Sequence, residues 1–397
     1  MNYEKPRHSP ARAYRPAHGA RGDSALSRNE KLVLTLLRHE GAAPKAQVAK
    51  LTGLSAQSAS VIMRKLEQAG LIERCEPVRG KVGQPSVPMR IAAQGALFFG
   101  LKVGRRSADL FLVDFLGRIL ESQRRTYAYP TPRTTLSFIA EAARTISARL
   151  PAASRDRIAG MGISMPGFLW EWGRQVGAPS HEMDAWRGLD FRGEVATLFD
   201  FPVLLQNDAS CACGAEVIFG QGGNRPDFLY FYVGHFIGGG VVLDYRLHTG
   251  PTGNAGSIGP LPVPSGAGDI RQLVDIASLF TLEAKLQAAG LDPMLLWAGT
   301  EGWNIPPDIL DTWIDEAAAG IAHTIVASCA VFDFEQVIID GWFARDMRDA
   351  LIAEIGKEME KLNWAGLVRP VLTPGSIGPD ARTLGAAGLP LLDGFHA

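Results

Sequence analysis

Over the first ninety residues apolar positions recur with helical spacing; beyond Gly95 they fall in short continuous runs broken by glycine. Leu32, Val33, Leu36 and Leu37 stand at i, i+1, i+4 and i+5, one face of a helix ending near Gly41. A second short helix is expected from about Lys45 to Leu51, followed by a tight turn at Thr52 and Gly53, where glycine takes a positive φ that other residues resist. Ser55 then offers an N-cap oxygen, and Ala56 to Ala69 carries Ala59, Ile62 and Leu66 on one side before Gly70 closes the helix. Short helix, glycine turn and capped helix is the order of a helix-turn-helix. Leu71-Ile72 and Val87 to Ile91 read as two strands of a hairpin, a wing, whose tip Arg79-Gly80-Lys81-Val82-Gly83-Gln84-Pro85 is basic and glycine-rich.

Downstream, Phe98 to Val103, a turn at Gly104 to Ser107, and Ala108 to Val113 read as a hairpin. The pattern returns at Leu229 to Val233, a turn at Gly234 to Gly238, and Gly239 to Leu243. This weak internal repeat predicts two α/β halves with a ligand cleft between them. Ile158 to Gly167 reads as a buried strand entering a tight turn, and Pro202 to Asp208 as a strand that delivers Asn207 and Asp208 at its C-terminal end. Ligands sit at such strand ends in open α/β sheets. The small residues Ala209, Ser210, Cys211, Ala212 and Cys213 then start a helix, so Asp208 reads equally as a ligand contact and as a helix cap near the positive dipole end. Cys211 and Cys213 are expected to be packing residues.

Composition bounds the class. The length of 397 residues predicts two or three compact units, and a hydrophobic content of 46% is enough to fill their cores. Four cysteines without paired C-x-x-C spacing argue against both a disulfide scaffold and a zinc site. The N-terminus is polar and basic without an apolar core segment, and the longest apolar stretch, Phe228 to Leu243, is interrupted by Gly234, His235 and Gly238 to Gly240. No signal peptide or membrane span is therefore expected, and a cytoplasmic location is.

A net charge of −1 argues at first against a nucleic-acid partner, but the average conceals an asymmetry. Residues 1–90 hold sixteen Lys and Arg against seven Asp and Glu, a net of +9, and the remainder holds 24 against 34, a net of −10. A basic end points to nucleic acid or to a solvated basic face. Arg7, Arg12, Arg15 and Arg21, with almost no aliphatic residue before Leu26, predict a disordered basic arm over 1–27. In a winged helix-turn-helix, the helix that begins at Ser55 enters the major groove of double-stranded DNA, with Gln57, Ser58, Ser60 and Arg64 toward bases or phosphates. Arg79, Lys81 and Gln84 of the wing are then expected at the neighbouring minor groove or backbone.

Seven segments in order carry a resemblance. They are Leu51 to Ser55, Gly83 to Pro85, Gly162 to Gly167, Asn207 to Ala209, Ile237 to Gly240, Ala255-Gly256 and Val337 to Gly341. Over about Arg28 to Leu391 this ordered set resembles the transcriptional-regulator branch of the ROK family (repressors, open reading frames and sugar kinases). The resemblance implies an α/β chain with an N-terminal winged helix-turn-helix and an actin-like, sugar-kinase or ribonuclease H-like, two-lobed domain. The expected organisation is a basic arm at 1–27, a DNA-binding domain at 28–92, a first lobe at 93–205 and a second lobe at 206–397 whose C-terminal helix returns to the first.

The departures from that pattern bear on activity. Kinases of the family open with an Asp-x-Gly-Gly-Thr loop that holds nucleotide phosphates, where this chain has Lys102-Val103-Gly104-Arg105-Arg106. Their second phosphate loop, Gly-Thr-Gly, is Gly234-His235-Phe236. Phosphate cradles need glycine for close backbone approach, so Arg105 and Phe236 are expected to exclude ATP. Asp208 matches the family's catalytic base, which without a phosphoryl donor is only a ligand contact. The sugar- and zinc-binding Ala-Gly-Glu-x-Gly-His is Ala255 to Pro260, with Ser257 at the Glu position, and the zinc cysteines are replaced by Leu261 to Asp269, so no metal is expected. A family asparagine appears as Ser180, and the family's wing Gly-Arg-Pro has Gln84 in place of the arginine favoured in a narrow minor groove.

The expected effector set is Asn207, Asp208, Ser180, Ser257 and His181; His181, His235 and His248 are either cleft residues or plain surface histidines. The sum is a homodimeric or tetrameric repressor with a sugar-like effector and no catalytic residue, cofactor or metal. Two alternatives stand beside it, a sugar kinase using Asp208 as base and a DNA-binding protein whose body only dimerises.

Overall fold

The computed structural model describes residues 26–77, 87–167, 169–172, 178–220, 225–265 and 268–397. The basic arm and the wing-tip residues Arg79, Lys81 and Gln84 lie outside them. The described residues fall into two compact units, one made of residues 26–206 with Thr383–Ala397 and the other of Asn207–Arg382.

The first unit begins with three helices. Helix α1 (Arg28–Glu40) opens on a capping box, in which Ser27 Oγ accepts from the Glu30 N–H and Glu30 accepts from the Ser27 N–H. Its buried stripe is Val33, Leu34 and Leu37, with Leu32 and Leu36 only partly covered, so the apolar face is turned from the one expected. Helix α2 (Lys45–Thr52) stops at Gly53, whose φ is 70°. Helix α3 (Ala56–Gln68) starts from Ser55, whose hydroxyl accepts the Ser58 N–H at 3.1 Å. Ala59, Met63 and Leu66 face inward; Met63 takes the place expected for Ile62 because i, i+4 and i+7 lie on one stripe. The helix closes on Ala69, with the Gly70 N–H bonded to Glu67 O and the Leu71 N–H to Leu66 O, each at 2.9 Å. Gly70 at φ 72° completes this Schellman end. Strands β1 (Ile72–Arg74) and β2 (Met89–Ile91) pair antiparallel as the base of the wing.

The same unit holds a five-stranded sheet of β3 (Leu97–Val103), β4 (Ser107–Val113), β5 (Ile119–Thr126), β6 (Ile158–Ser164) and β7 (Val203–Gln206), in the order β5-β4-β3-β6-β7. Strand β3 is antiparallel to β4 and parallel to β6, and its seven residues are all buried, the apolar ones as a strand inside the sheet requires and Lys102 with an ion-pair partner. Helix α4 (Pro132–Arg149) supplies Phe138, Ile139, Ala142 and Ile146 to this core.

The head is fastened to the sheet within this unit. Arg157 donates to Ala69 O at 2.6 Å and to Gly95 O at 3.3 Å, which satisfies a carbonyl at the end of α3. Lys31 donates to Asp393 O at 2.6 Å, and Arg38 lies 5.1 Å over the Phe115 ring, which meets Phe98 and Phe395 edge-on or tilted. Burial draws the Arg38 guanidinium down to about 10 against the pull of Asp114, so it stays charged at neutral pH.

The second unit repeats the sheet. Strands β8 (Phe228–Val233), β9 (Ile237–Leu243), β10 (Arg246–His248), β13 (Gln336–Gly341) and β14 (Val371–Pro374) run in the order β10-β9-β8-β13-β14 with the same parallel and antiparallel pattern. Each glycine hairpin seen in the sequence opens one of the two sheets; the second resumes at Ile237, opposite Val233, two residues earlier than expected. A ribbon of β11 (Pro262–Pro264) and β12 (Ile270–Gln272) stands where the family's zinc segment was expected to be replaced.

Candidate nucleic-acid interface and effector site

The outer face of α3 presents Gln57, Ser58 and Arg64 to solvent, as the pattern required. Ser60 is half-buried, which corrects its expected exposure: it lies on the flank of the helix, beside the inward stripe. Ser55 is exposed, but its hydroxyl is engaged by the Ser58 N–H and lies 2.9 Å from Ser58 Oγ. Two charges of α3 are neutralised from the head itself. Lys65 reaches Glu30 at 2.7 Å and Glu67 holds Arg74 at 2.7 Å. Burial would raise the Glu30 carboxyl, but Lys65 and the Ser27 donors outweigh it and hold it low. Arg64 makes no ion pair among the described residues. Sequence reading passed over Val61, which stands on the same face with 59% of its surface exposed.

The β3–β4 turn, where a kinase would hold phosphates, carries its own charges. Lys102 Nζ lies 2.5 Å from Asp109 Oδ2, Arg124 pairs with Asp109 Oδ1, and Ser107 Oγ bonds Asp109 at 3.1 Å. Burial alone would raise the Asp109 carboxyl; the Lys102 and Arg124 charges outweigh it and hold the group below its ordinary value. The Tyr127 hydroxyl closes the turn on Gly104 O at 2.7 Å, and burial pushes that phenol up. The substitution of Lys102 was legible in the sequence, whereas its partners were not: Asp109 comes from β4 and Arg124 from β5, joined only by strand register.

Asn207 and Asp208 open helix α5 (Asp208–Phe219) of the second unit. The cap is Asn207, whose Oδ1 accepts from Ala209 N at 3.0 Å and Ser210 N at 3.4 Å. Asp208 sits one position on, with Oδ1 on the Ala209 N–H and Oδ2 3.4 Å from the Arg382 guanidinium, which lies 4.9 Å over the Tyr232 ring. Arg382, far off in sequence, was not anticipated. Ser257 is exposed, and Ser180 and His181 open a short helix, Ser180–Asp184, of the first unit, with the His181 side chain 80% exposed. His235 packs among Phe236, Phe280 and Trp297 and faces Glu283 at 3.6 Å, while His248 is exposed on β10. Cys211 and Cys213 are fully buried packing residues.

The described residues thus combine the base of a winged helix-turn-helix with two sheets of one repeated topology. Residues 98–271 match the ROK family and residues 26–81 the MarR family. A xylose repressor of Bacillus spizizenii is 23% identical over 235 residues, 59% of this chain, and the match spans 60% of the repressor's own length. Among solved structures, a ROK family transcriptional regulator homologous to the E. coli MLC protein superposes with a TM-score of 0.67 at 21% identity, covering 92% of this chain and 96% of the other. A ROK family glucokinase from Streptomyces griseus, in complex with glucose and AMPPNP, gives 0.58 at 22% identity over 74% and 99% of the two chains. These likenesses establish the fold. No helix among the described residues is long and apolar enough to cross a membrane.

Proposed function

We propose that this protein is a DNA-binding transcriptional regulator, a repressor, whose ROK body binds a sugar-like effector and does not transfer phosphate. The observation that carries the reading is the outer face of α3, where Gln57, Ser58 and Arg64 are exposed beside a winged base. In this reading Ser55 and Ser60 position that helix, and Arg79, Lys81 and Gln84 of the wing contact the backbone or minor groove. The name of the xylose repressor supports repression as the sign of regulation.

Against a kinase stand the Lys102–Asp109–Arg124 cluster on the strands beside the β3–β4 turn and the Asp208–Arg382 pair, which ties up the carboxylate that a catalytic base must keep available. Asn207 and Asp208, with Ser180, Ser257 and His181, are the effector contacts, an amide and a carboxylate being suited to vicinal hydroxyls. The assembly is a homodimer or tetramer reading a two-fold site. A gel shift with the chain's own upstream DNA, repeated with Arg64→Ala, tests the reading: the intact protein binds and the variant binds at least fivefold more weakly. Absence of binding by the intact protein, or saturable ATP binding with sugar-dependent ADP release, overturns it.

A further inference from the structure

We infer that Val61 reads a thymine, its isopropyl group packing on the C5-methyl in the major groove. The inference rests on the DNA-binding reading above and adds a base identity to it.

Turning about 100° per residue, α3 places Gln68, Gln57 and Arg64 roughly 20°, 40° and 60° to one side of Val61 and Lys65 and Ser58 roughly 40° and 60° to the other, with Val61 between them. The stripe that packs inward, Ala59, Met63 and Leu66, lies on the opposite side, so Val61 has no place in the core of the head. It is 59% exposed, and the neighbours on both flanks are exposed polar or charged residues. A β-branched residue is a poor choice for an exposed helix position on helix propensity alone, where Gln, Lys or Arg serve better.

The chemistry of the surroundings selects the occupant. Gln57 and Gln68 offer amides and Arg64 a guanidinium without an ion pair among the described residues, while the neighbouring Lys65 is held by Glu30. A surface that is polar on either side of one apolar group matches a row of base edges. In the major groove only thymine presents a methyl, whereas guanine, adenine and cytosine present acceptors and donors that Val61 cannot satisfy.

The test uses the full chain. Sites are selected from a random duplex pool, and the selected duplex is remade with deoxyuridine replacing thymine one position at a time, which removes only the C5-methyl. Affinities are read by fluorescence anisotropy for the wild type and Val61→Ala, with circular dichroism showing that the variant is folded. Removing one buried methyl is expected to weaken wild-type binding roughly fourfold at one thymine per half-site and nowhere else. In Val61→Ala that penalty falls below twofold, and the two proteins bind the deoxyuridine duplex alike. The inference is overturned if the wild type binds its selected duplex but is indifferent to every deoxyuridine replacement, or if the penalty persists unchanged in the variant. It is equally overturned if Val61→Ala leaves the penalty intact and instead shifts the sedimentation of the DNA-free protein, which assigns Val61 to self-association. Failure of the wild type to select or bind any duplex overturns the DNA-binding reading itself, and this inference with it.

Discussion

Asp109 and Asp340 are both buried carboxylates, and their surroundings drive them in opposite directions. Asp109 lies between Lys102 and Arg124, so its charge is matched; it contributes stability above the unfolded carboxylate range that is lost as pH falls through its lowered value. Asp340, on β13, has no cation partner among the described residues. It accepts from the Gly378 N–H at 3.0 Å, the Gly341 N–H at 2.9 Å and the Tyr230 hydroxyl at 3.0 Å, with Glu216 adding a like charge nearby. Burial outweighs those three donors and, with Glu216, raises the carboxyl to about 6. A raised acid is protonated in the folded chain at a pH where the unfolded chain is ionised. Its stabilising share is therefore full below about pH 4 and is lost as pH rises through about 6. Asp340→Asn removes the titration, so whatever its offset at pH 4, chemical denaturation should show the gap moving in the variant's favour by about 2 kcal/mol between pH 4 and pH 8. A gap that stays constant with pH would show Asp340 to be unperturbed.

The longest-range fit among the elements of the first unit involves helix α6 (Ala381–Phe395), whose residues from Thr383 onward belong with the sheet of β3 to β7. Gly100 and Gly162 are paired across β3 and β6, and a Cβ built on them would lie 2.2 Å from Thr383 O and 1.8 Å from Ala386 O. Pro390 lacks the N–H that would bond Ala386 O four residues back, and that carbonyl lies instead over Gly162. Since the obstructing atom is backbone, Gly162→Ala must push the helix from the sheet. It should lower stability by about 1–3 kcal/mol, as overpacked cores do. Gly394→Ala, where a Cβ meets nothing within 4 Å, is the matched control and should be neutral or slightly stabilising; equal effects in urea melts would sink the argument. This scale also marks what the sequence made legible. Capped helices, glycine turns and continuous apolar strands follow from local spacing, so α1 to α3 and both hairpins were read to within a residue or two. The pairs Lys102–Asp109, Asp208–Arg382 and Gly162–Ala386 depend on which strands and helices become neighbours. No local pattern encodes that, and Val61 was missed for a related reason: an apolar residue in a helix reads as core until the inward face is known.

At the scale of the whole chain, the near balance of forty Lys and Arg against forty-one Asp and Glu describes neither part of the molecule. A polyanion responds to the cations that touch it, because each neutralised phosphate releases counterions, while charges beyond about 8 Å are screened at physiological salt. The +9 of residues 1–90, not the total of −1, should therefore govern binding. Were the total decisive, a protein of pI near 6.7 would bind DNA weakly and with little salt dependence. If the head acts alone, two or more phosphate contacts give at least a tenfold loss of affinity between about 50 and 200 mM salt. Arg64→Ala separates the two roles open to that side chain. As a phosphate contact its loss flattens the log–log slope by about 1 and weakens all sequences alike; as a base contact it leaves the slope nearly unchanged and relaxes preference at one position. Anisotropy titrations at four salt concentrations, with a selected and a scrambled duplex, decide between them. Binding that does not change with salt would mean that the basic half of the chain is a solvated face and not a phosphate-reading one.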